Sequence, residues 1–197
     1  MKDTYTYQIG KNLYINLTNR CSNRCTFCVR EGKETYEGYA LWLQGGEPQV
    51  KQVIAEIGDP KRYGEIVFCG FGEPTYRLEA LLEICRYIHA NGGKTRLNTN
   101  GHGSAIAGMD IACALKGQLD AINVSLNAPD AVAYAALCRP RIENAFEELV
   151  AFARACKREG LNCWFSVVDC IGEEAIEGCR KIAKEAGIPL RIREMIE

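Results

Sequence analysis

The sequence has no long apolar run and no excess of charge of either sign. Nothing in it approaches the roughly 18 consecutive apolar residues of a membrane span, and the opening MKDTYTYQIGKNLYINL lacks the apolar core of a signal peptide. A soluble, cytoplasmic protein with no membrane partner is expected. The 24 Lys+Arg nearly balance the 25 Asp+Glu, giving a net charge of -1 and a pI near 6.2. That balance removes any global attraction to nucleic acid or to an acidic bilayer. Linkers, repeats and low-complexity tracts are absent too, so the 197 residues are expected to form one domain, 1–197, with room for a sizeable core.

Cysteine, by contrast, is abundant, at eleven residues. Most stand singly inside apolar periodic segments, where a reduced thiol behaves as a small hydrophobe, so no disulfide framework is expected. The exception is CSNRCTFC, which crowds Cys21, Cys25 and Cys28 into one short stretch just after an apolar strand pattern.

Alternation and β-branched content predict strands at 12–17, 65–69, 94–98, 120–126, 161–168 and 189–193. Between them, apolar spacings of three and four predict helices at 49–57, 76–90, 104–116, 143–159 and 173–186. Alternating β and α units imply an α/β fold with a parallel sheet and right-handed crossovers. Six strands fall short of a closed eight-stranded barrel, so either an open doubly wound sheet or a curved, partly open barrel is expected, the second, a partial (β/α)6 TIM-like barrel, being the natural middle case. In any such sheet the reacting end lies at the C-terminal tips of the strands.

Those tips carry a polar and glycine-rich set: the cysteine triplet, Gly70 to Pro74, Asn98 to Gly101, Ser125 to Asn127, and the run from Val168 to Gly172. One shared site is a better explanation than separate turns. Three thiolates on one loop can bind three corners of a [4Fe-4S] cluster and leave its fourth iron open to a ligand. A structural zinc, or a cluster completed by a distant fourth cysteine, fits the triplet alone equally well.

The spacing C-x3-C-x2-C with Phe27 before the last cysteine, followed by FCGFGEP, LNTNG and VSLN, resembles the radical S-adenosylmethionine (SAM) superfamily. Within it, CGFGEPTYRLEALLEI, LNTNGHG, VSLNAPD and LRIREMIE look most like the small TatD-associated members. The resemblance implies an oxygen-sensitive enzyme whose [4Fe-4S] cluster is held by Cys21, Cys25 and Cys28. It implies reductive cleavage of SAM to a 5'-deoxyadenosyl radical that takes hydrogen from an unidentified substrate, with reduced flavodoxin or ferredoxin as electron donor. It further implies methionine contacts from Gly70, Phe71, Gly72, Glu73 and Pro74, ribose contacts from Ser125 and Asn127, adenine contacts from Phe27 and Val168, and a pocket lined by Asn98 and Asn100. The carboxylate of Glu73 is suited to an ammonium, and the glycines to close approach. A small molecule or peptide is favoured as substrate over nucleic acid, given the neutral charge.

A glycyl-radical activase or another peptide-modifying relative is the alternative reading, without the expected GPG opening. A non-enzymatic iron-sulfur or zinc module is the alternative of another class. Cys156, Cys163 and Cys170 are expected to be core packing, and Cys69 to be passive. His89 is expected to be structural and His102 a surface turn residue. Arg20, Arg24 and Arg30 flank the cysteine loop, either steering an acidic partner or simply solvated. Finally, GEP occurs twice, in LQGGEPQV and CGFGEPTY. Because no strand precedes the first, Pro48 and Glu47 are expected to open a helix, while Glu73 carries the chemistry.

Overall fold

The computed structural model describes residues 3–30 and 32–195. In chain order its strands are β1 (Thr6–Ile9), β2 (Asn12–Ile15), β3 (Thr35–Tyr36), β4 (Tyr39–Ala40), β5 (Ile66–Phe68), β6 (Thr95–Thr99), β7 (Ala121–Ser125), β8 (Cys163–Val168) and β9 (Leu190–Arg193). Its α-helices are α1 (Val50–Ile57), α2 (Leu78–Ala90), α3 (Gly103–Ala107), α4 (Ala112–Leu115), α5 (Ala131–Cys138), α6 (Ala145–Arg158) and α7 (Glu173–Ala186). Among the described residues, seven strands form one sheet in the order β1-β2-β5-β6-β7-β8-β9. From β2 onward every pairing is parallel.

That strand order never reverses. With right-handed crossovers each connecting helix must then fall on the same side of the sheet, as in a barrel and unlike a doubly wound sheet. Alternate strand residues Ile15, Ile66, Phe68, Leu97, Ile122, Val124, Phe165 and Val167 are buried in one cluster with Ile84, Ile88, Leu149, Phe152 and Ile176 from the helices. Burial of each such side chain contributes about 1.5–3 kcal/mol. The intervening residues, among them Arg96, Asn98, Asn123, Ser125, Trp164, Ser166, Arg191 and Arg193, point to the opposite, helix-free face by the two-residue period of a strand.

Besides the unpredicted two-residue strands β3 and β4, which pair only with each other, three elements differ from expectation. β1 adds an antiparallel edge strand, joined to β2 through Gly10 at φ +58; it buries only Tyr7 among its four residues and so carries little apolar signal. The predicted helix 104–116 splits into α3 and α4, because Gly108 caps the first in a left-handed conformation and the Asp110 carboxylate accepts from Ala112 N. Unpredicted α5 is apolar nearly all round, so it lacks a polar face to reveal its period, although Asp130 caps it by accepting from Ala133 N at 2.8 Å.

Candidate active site

The cysteine loop leaves the tip of β2 and is fastened to the end of α5. Arg24 N donates to the Cys138 carbonyl, Thr26 N to Leu137 and Arg141 N to Ser22, at 2.8–2.9 Å. Arg30 braces the loop from within, donating to the carbonyls of Asn19 and Phe71 at 2.9 Å. Neither steering nor simple solvation describes Arg30, because its guanidinium is spent on backbone acceptors that would otherwise be unpaired.

Cys21, Cys25 and Cys28 are each half-buried, and the described cysteines form no disulfide. The Asn100 side-chain amide approaches Cys21 Sγ at 3.8 Å. Burial, and then the nearby Glu73 carboxylate, push the Cys21 thiol up to about 11. The Cys25 thiol is hydrogen-bonded to that of Cys138, which together with burial raises it further. Among the described residues no three His, Cys, Asp or Glu side chains surround a common point suited to an ion, so the loop collects the three thiols on one segment without arranging them as a finished ligand set.

The tip of β5 closes against this loop. A Cβ on Gly72 would run into the carbonyls of Thr18 and Arg20, and one on Gly70 into the Asn16 side chain. Glycine is required here by space, since neither residue has positive φ. Phe71 packs with Tyr7 and Leu41, and Pro74 opens a 3-10 turn, Pro74–Arg77, capped by Glu73. Glu73 is 3% exposed. Its Oε1 accepts from Thr75 N at 3.2 Å, Thr75 Oγ1 at 2.8 Å and Thr99 Oγ1 at 2.8 Å, and its Oε2 from Asn100 N at 2.8 Å. Every one of these donors is neutral. Desolvation raises the Glu73 pKa, against the lowering effect of those hydrogen bonds.

Behind Glu73 a directed chain of hydrogen bonds joins three strand tips. Asn100 Nδ2 donates to Ser22 Oγ at 2.8 Å, and Ser22 Oγ meets His102 Nδ1 at 2.9 Å. His102 Nε2 lies 3.0 Å from the Ala145 carbonyl, which can only accept, so the network assigns the proton to Nε2 and makes Nδ1 the acceptor from Ser22. His102 is fully buried, and that burial pushes its pKa down to about 4. The expectation of a surface turn residue is thus wrong: the Asn100-Gly101 turn folds inward, and the neutral ring braces the cysteine loop. His89 binds Thr95 and Asp120 between α2 and the sheet.

At the remaining tips, Ser125 pairs in register with Ser166. Asn127, at φ +59, and Ser166 each bury a side-chain oxygen without a hydrogen-bond partner. Val168 is buried beside them in sequence, and Phe27 packs on the margin of the core. Asn98 accepts from Arg96 and shares a side-chain hydrogen bond with Cys69, whose thiol burial pushes up. Ser166 escaped the sequence reading; the signal was a lone polar residue within WFSVV at the register of Ser125. Cys156 and Cys163 pack in the core as expected, joined by a thiol hydrogen bond. Cys170 is the exception and corrects the expectation, because it is exposed on the 3-10 turn Asp169–Ile171.

A family model described as "Radical SAM superfamily" matches residues 15–186. The chain belongs to the radical SAM superfamily. Members of this superfamily are enzymes that use a [4Fe-4S] cluster and SAM, and the TIM-like partial barrel is their fold. The chain is 29% identical over 90 residues to 5-amino-6-(D-ribitylamino)uracil--L-tyrosine 4-hydroxyphenyl transferase 2 of Methanosarcina mazei, covering 45% of this chain and 20% of that protein. It is 32% identical over 144 residues to GTP 3',8-cyclase of Corynebacterium glutamicum, covering 67% and 35%. The solved structure "Native anSMEcpe with bound AdoMet" superposes with a TM-score of 0.62 at 17% identity, covering 93% of this chain and 51% of that one. The chain therefore spans a fifth to about a half of the length of these relatives.

For a radical SAM site the residues present are a chemical fit. Three soft thiolate donors share one loop, glycines let the β5 tip pack closely on that loop, a buried carboxylate has only neutral partners, and two buried oxygens at the tips of β7 and β8 await donors. No helix among the described residues is long and apolar enough to cross a membrane.

Proposed function

We propose that this chain is a SAM-cleaving radical enzyme whose site is formed by the cysteine loop and the tips of β5 to β8. The reading rests above all on Glu73, a buried carboxylate that no cation neutralises among the described residues. Burying a charge is costly unless it is paired, and the ammonium of a bound methionine group would supply the missing partner. Oε2 accepts one hydrogen bond and keeps capacity for another, so the ligand need not displace Asn100. Gly70 and Gly72 do not leave room for that ligand, since Asn16, Thr18 and Arg20 fill the space beside them; they let the β5 tip close on the cysteine loop, which sets Glu73 next to it. The buried oxygens of Asn127 and Ser166, beside Ser125, are acceptors for ribose hydroxyls, and Val168 and Phe27 offer apolar surface to adenine.

Cys21, Cys25 and Cys28 would hold the [4Fe-4S] cluster, which supplies the electron that breaks a carbon-sulfur bond of SAM and so yields the 5'-deoxyadenosyl radical. Holding it requires the thiols to lose their protons, against burial that now favours the protonated form at Cys21 and Cys25. Asn100 and Ser22, oriented by His102, set the approach of a hydrogen-bond donor to Cys21. A reduced flavodoxin or ferredoxin would deliver the electron to this cytoplasmic protein, and a small molecule or peptide would be the hydrogen donor. The whole chain, 1–197, acts as one core domain in this reading.

Anaerobic reconstitution with iron and sulfide, then addition of dithionite and SAM, should release 5'-deoxyadenosine, and Cys25→Ala should abolish both iron binding and release. A fully loaded protein that leaves SAM intact would refute the reading. The contact between Cys25 and Cys138 favours one rival, a non-enzymatic site closed by a fourth thiol. In that case Cys138→Ser would lose the bound metal, and SAM would leave the cluster's EPR signal unchanged.

A further inference from the structure

The helix-free face of the sheet holds a cavity of about 380 Å³, below the strand tips just described. Six of the residues lining it decide its chemistry: Glu65, Arg96, Asn123, Trp164, Arg191 and Arg193. Three guanidinium groups face one carboxylate. Arg96 is already engaged, donating from Nε to Glu65 at 2.9 Å and from Nη1 to Asn98 at 2.6 Å. The Arg191 guanidinium carbon sits over the Trp164 ring, 3.7 Å from its centroid, a cation-π contact that does not use up the guanidinium N-H donors. Among the described residues, neither Arg191 nor Arg193 forms a salt bridge.

A second observation is independent of charge. Asn123 is 4% exposed, yet its Oδ1 has no hydrogen-bond partner. A buried acceptor left without a donor is costly, and here it lines a space large enough for a ligand. The acceptor asks for a hydroxyl, and the guanidinium edges ask for an oxyanion. Asn123 pairs in register with Trp164, one inward-facing step before the Ser125–Ser166 pair. Two residues of strand separate these levels by about 7 Å, so a molecule anchored in the cavity extends toward the cysteine loop. The Arg96–Asn98–Cys69 chain of contacts runs along the same path to Gly70.

We propose that this cavity is an anchor for a small hydroxylated oxyanion, a carboxylate or a phosphate monoester, gripped by Arg191 and Arg193 with its hydroxyl on Asn123. The assignment of that molecule as substrate rests on the radical SAM reading above; the anion site itself does not. Because Trp42 and Trp164 are the two tryptophans, the Trp42→Phe protein reports on Trp164 alone. The cluster-loaded Trp42→Phe protein would be titrated with glycerol 3-phosphate, with glycerate and with glycerol, following Trp164 fluorescence and binding heat. Saturable binding of at least one anion, none of glycerol, and weakening by about ten-fold or more in Arg191→Gln or Asn123→Ala is the expected result. Arg158→Gln, on the helix side of the sheet, should bind as the parent does. The tighter of the two anions names the charged group. No saturable response to either anion, or a response unchanged in both Arg191→Gln and Arg193→Gln proteins of parental thermal stability, would overturn the anchor. Anion binding without SAM cleavage would instead sink the enzymatic reading and leave the anchor standing.

Discussion

The two Gly-Glu-Pro segments share letters and little else. Gly46 has φ +91 and open space where a Cβ would go, whereas Gly72 has an ordinary φ and no space at all. Glu47 is about a third exposed and meets two cations, Arg20 Nε at 2.9 Å and Arg77 Nη1 at 3.1 Å, and accepts from the neutral Thr18 hydroxyl at 2.6 Å. Glu73 is buried and meets only neutral donors. Pro48 precedes the Gln49 cap of α1, whereas Pro74 is the first residue of its 3-10 turn. The first glutamate is therefore satisfied by the protein and the second is left one cation short, the contrast on which the proposed binding role of Glu73 rests.

That comparison also corrects the sequence expectation for Glu47. It does not serve the helix dipole, because α1 begins three residues later and the carboxylate faces Arg20 and Arg77 instead. It ties the cysteine loop to the turn that follows Glu73, so it belongs to the frame of the site.

The largest effect is expected for Glu73→Ala, which strands the donors of Thr75, Thr99 and Asn100. Leaving buried donors unpaired costs roughly 3 kcal/mol, to be read from denaturant unfolding. Gly72→Ala should follow closely, at about 2–3 kcal/mol, because the added Cβ meets backbone that cannot rotate away. His102→Ala should cost about 2 kcal/mol by unpairing Ser22 and Ala145, with lower iron retention as a separate readout. Gly46→Ala pays only for its positive φ, about 1 kcal/mol. Glu47→Ala should be the mildest, below about 1 kcal/mol for a partly exposed ion pair.

The two glutamates should also bend the pH dependence of stability in opposite directions. For Glu47 the folded pKa is depressed below the ordinary carboxylate value of 4.5. Its stabilisation is present above that unfolded value and is lost as pH falls through the folded one. Glu73 is raised above 4.5, so between the unfolded and folded values the native state holds the extra proton and stability falls as pH rises. In acid unfolding series, Glu47→Gln should flatten the loss below pH 4.5, while Glu73→Gln should remove the decline above it. The same sign for both would contradict the electrostatic contrast.

Much of this was legible in the sequence because strands announce their tips. EIVFC runs directly into Gly70, and that adjacency singled out Glu73 over Glu47. The cysteine loop was legible from spacing alone. What escaped was set by contacts between distant segments. The links from Glu47 to Thr18, Arg20 and Arg77 span 27 to 30 positions, and His102 reaches Ser22 across 80, so no local pattern carries them. β1 escaped because its polarity does not alternate with burial, and α5 because it has too little polarity to alternate at all.

The most direct test is the SAM affinity of the reconstituted protein, measured side by side for Glu73→Gln and Glu47→Gln. Loss of a charge-assisted contact to an ammonium predicts weakening by about ten-fold or more for Glu73→Gln and less than about two-fold for Glu47→Gln. Equal weakening, or a larger loss at Glu47, would contradict the account.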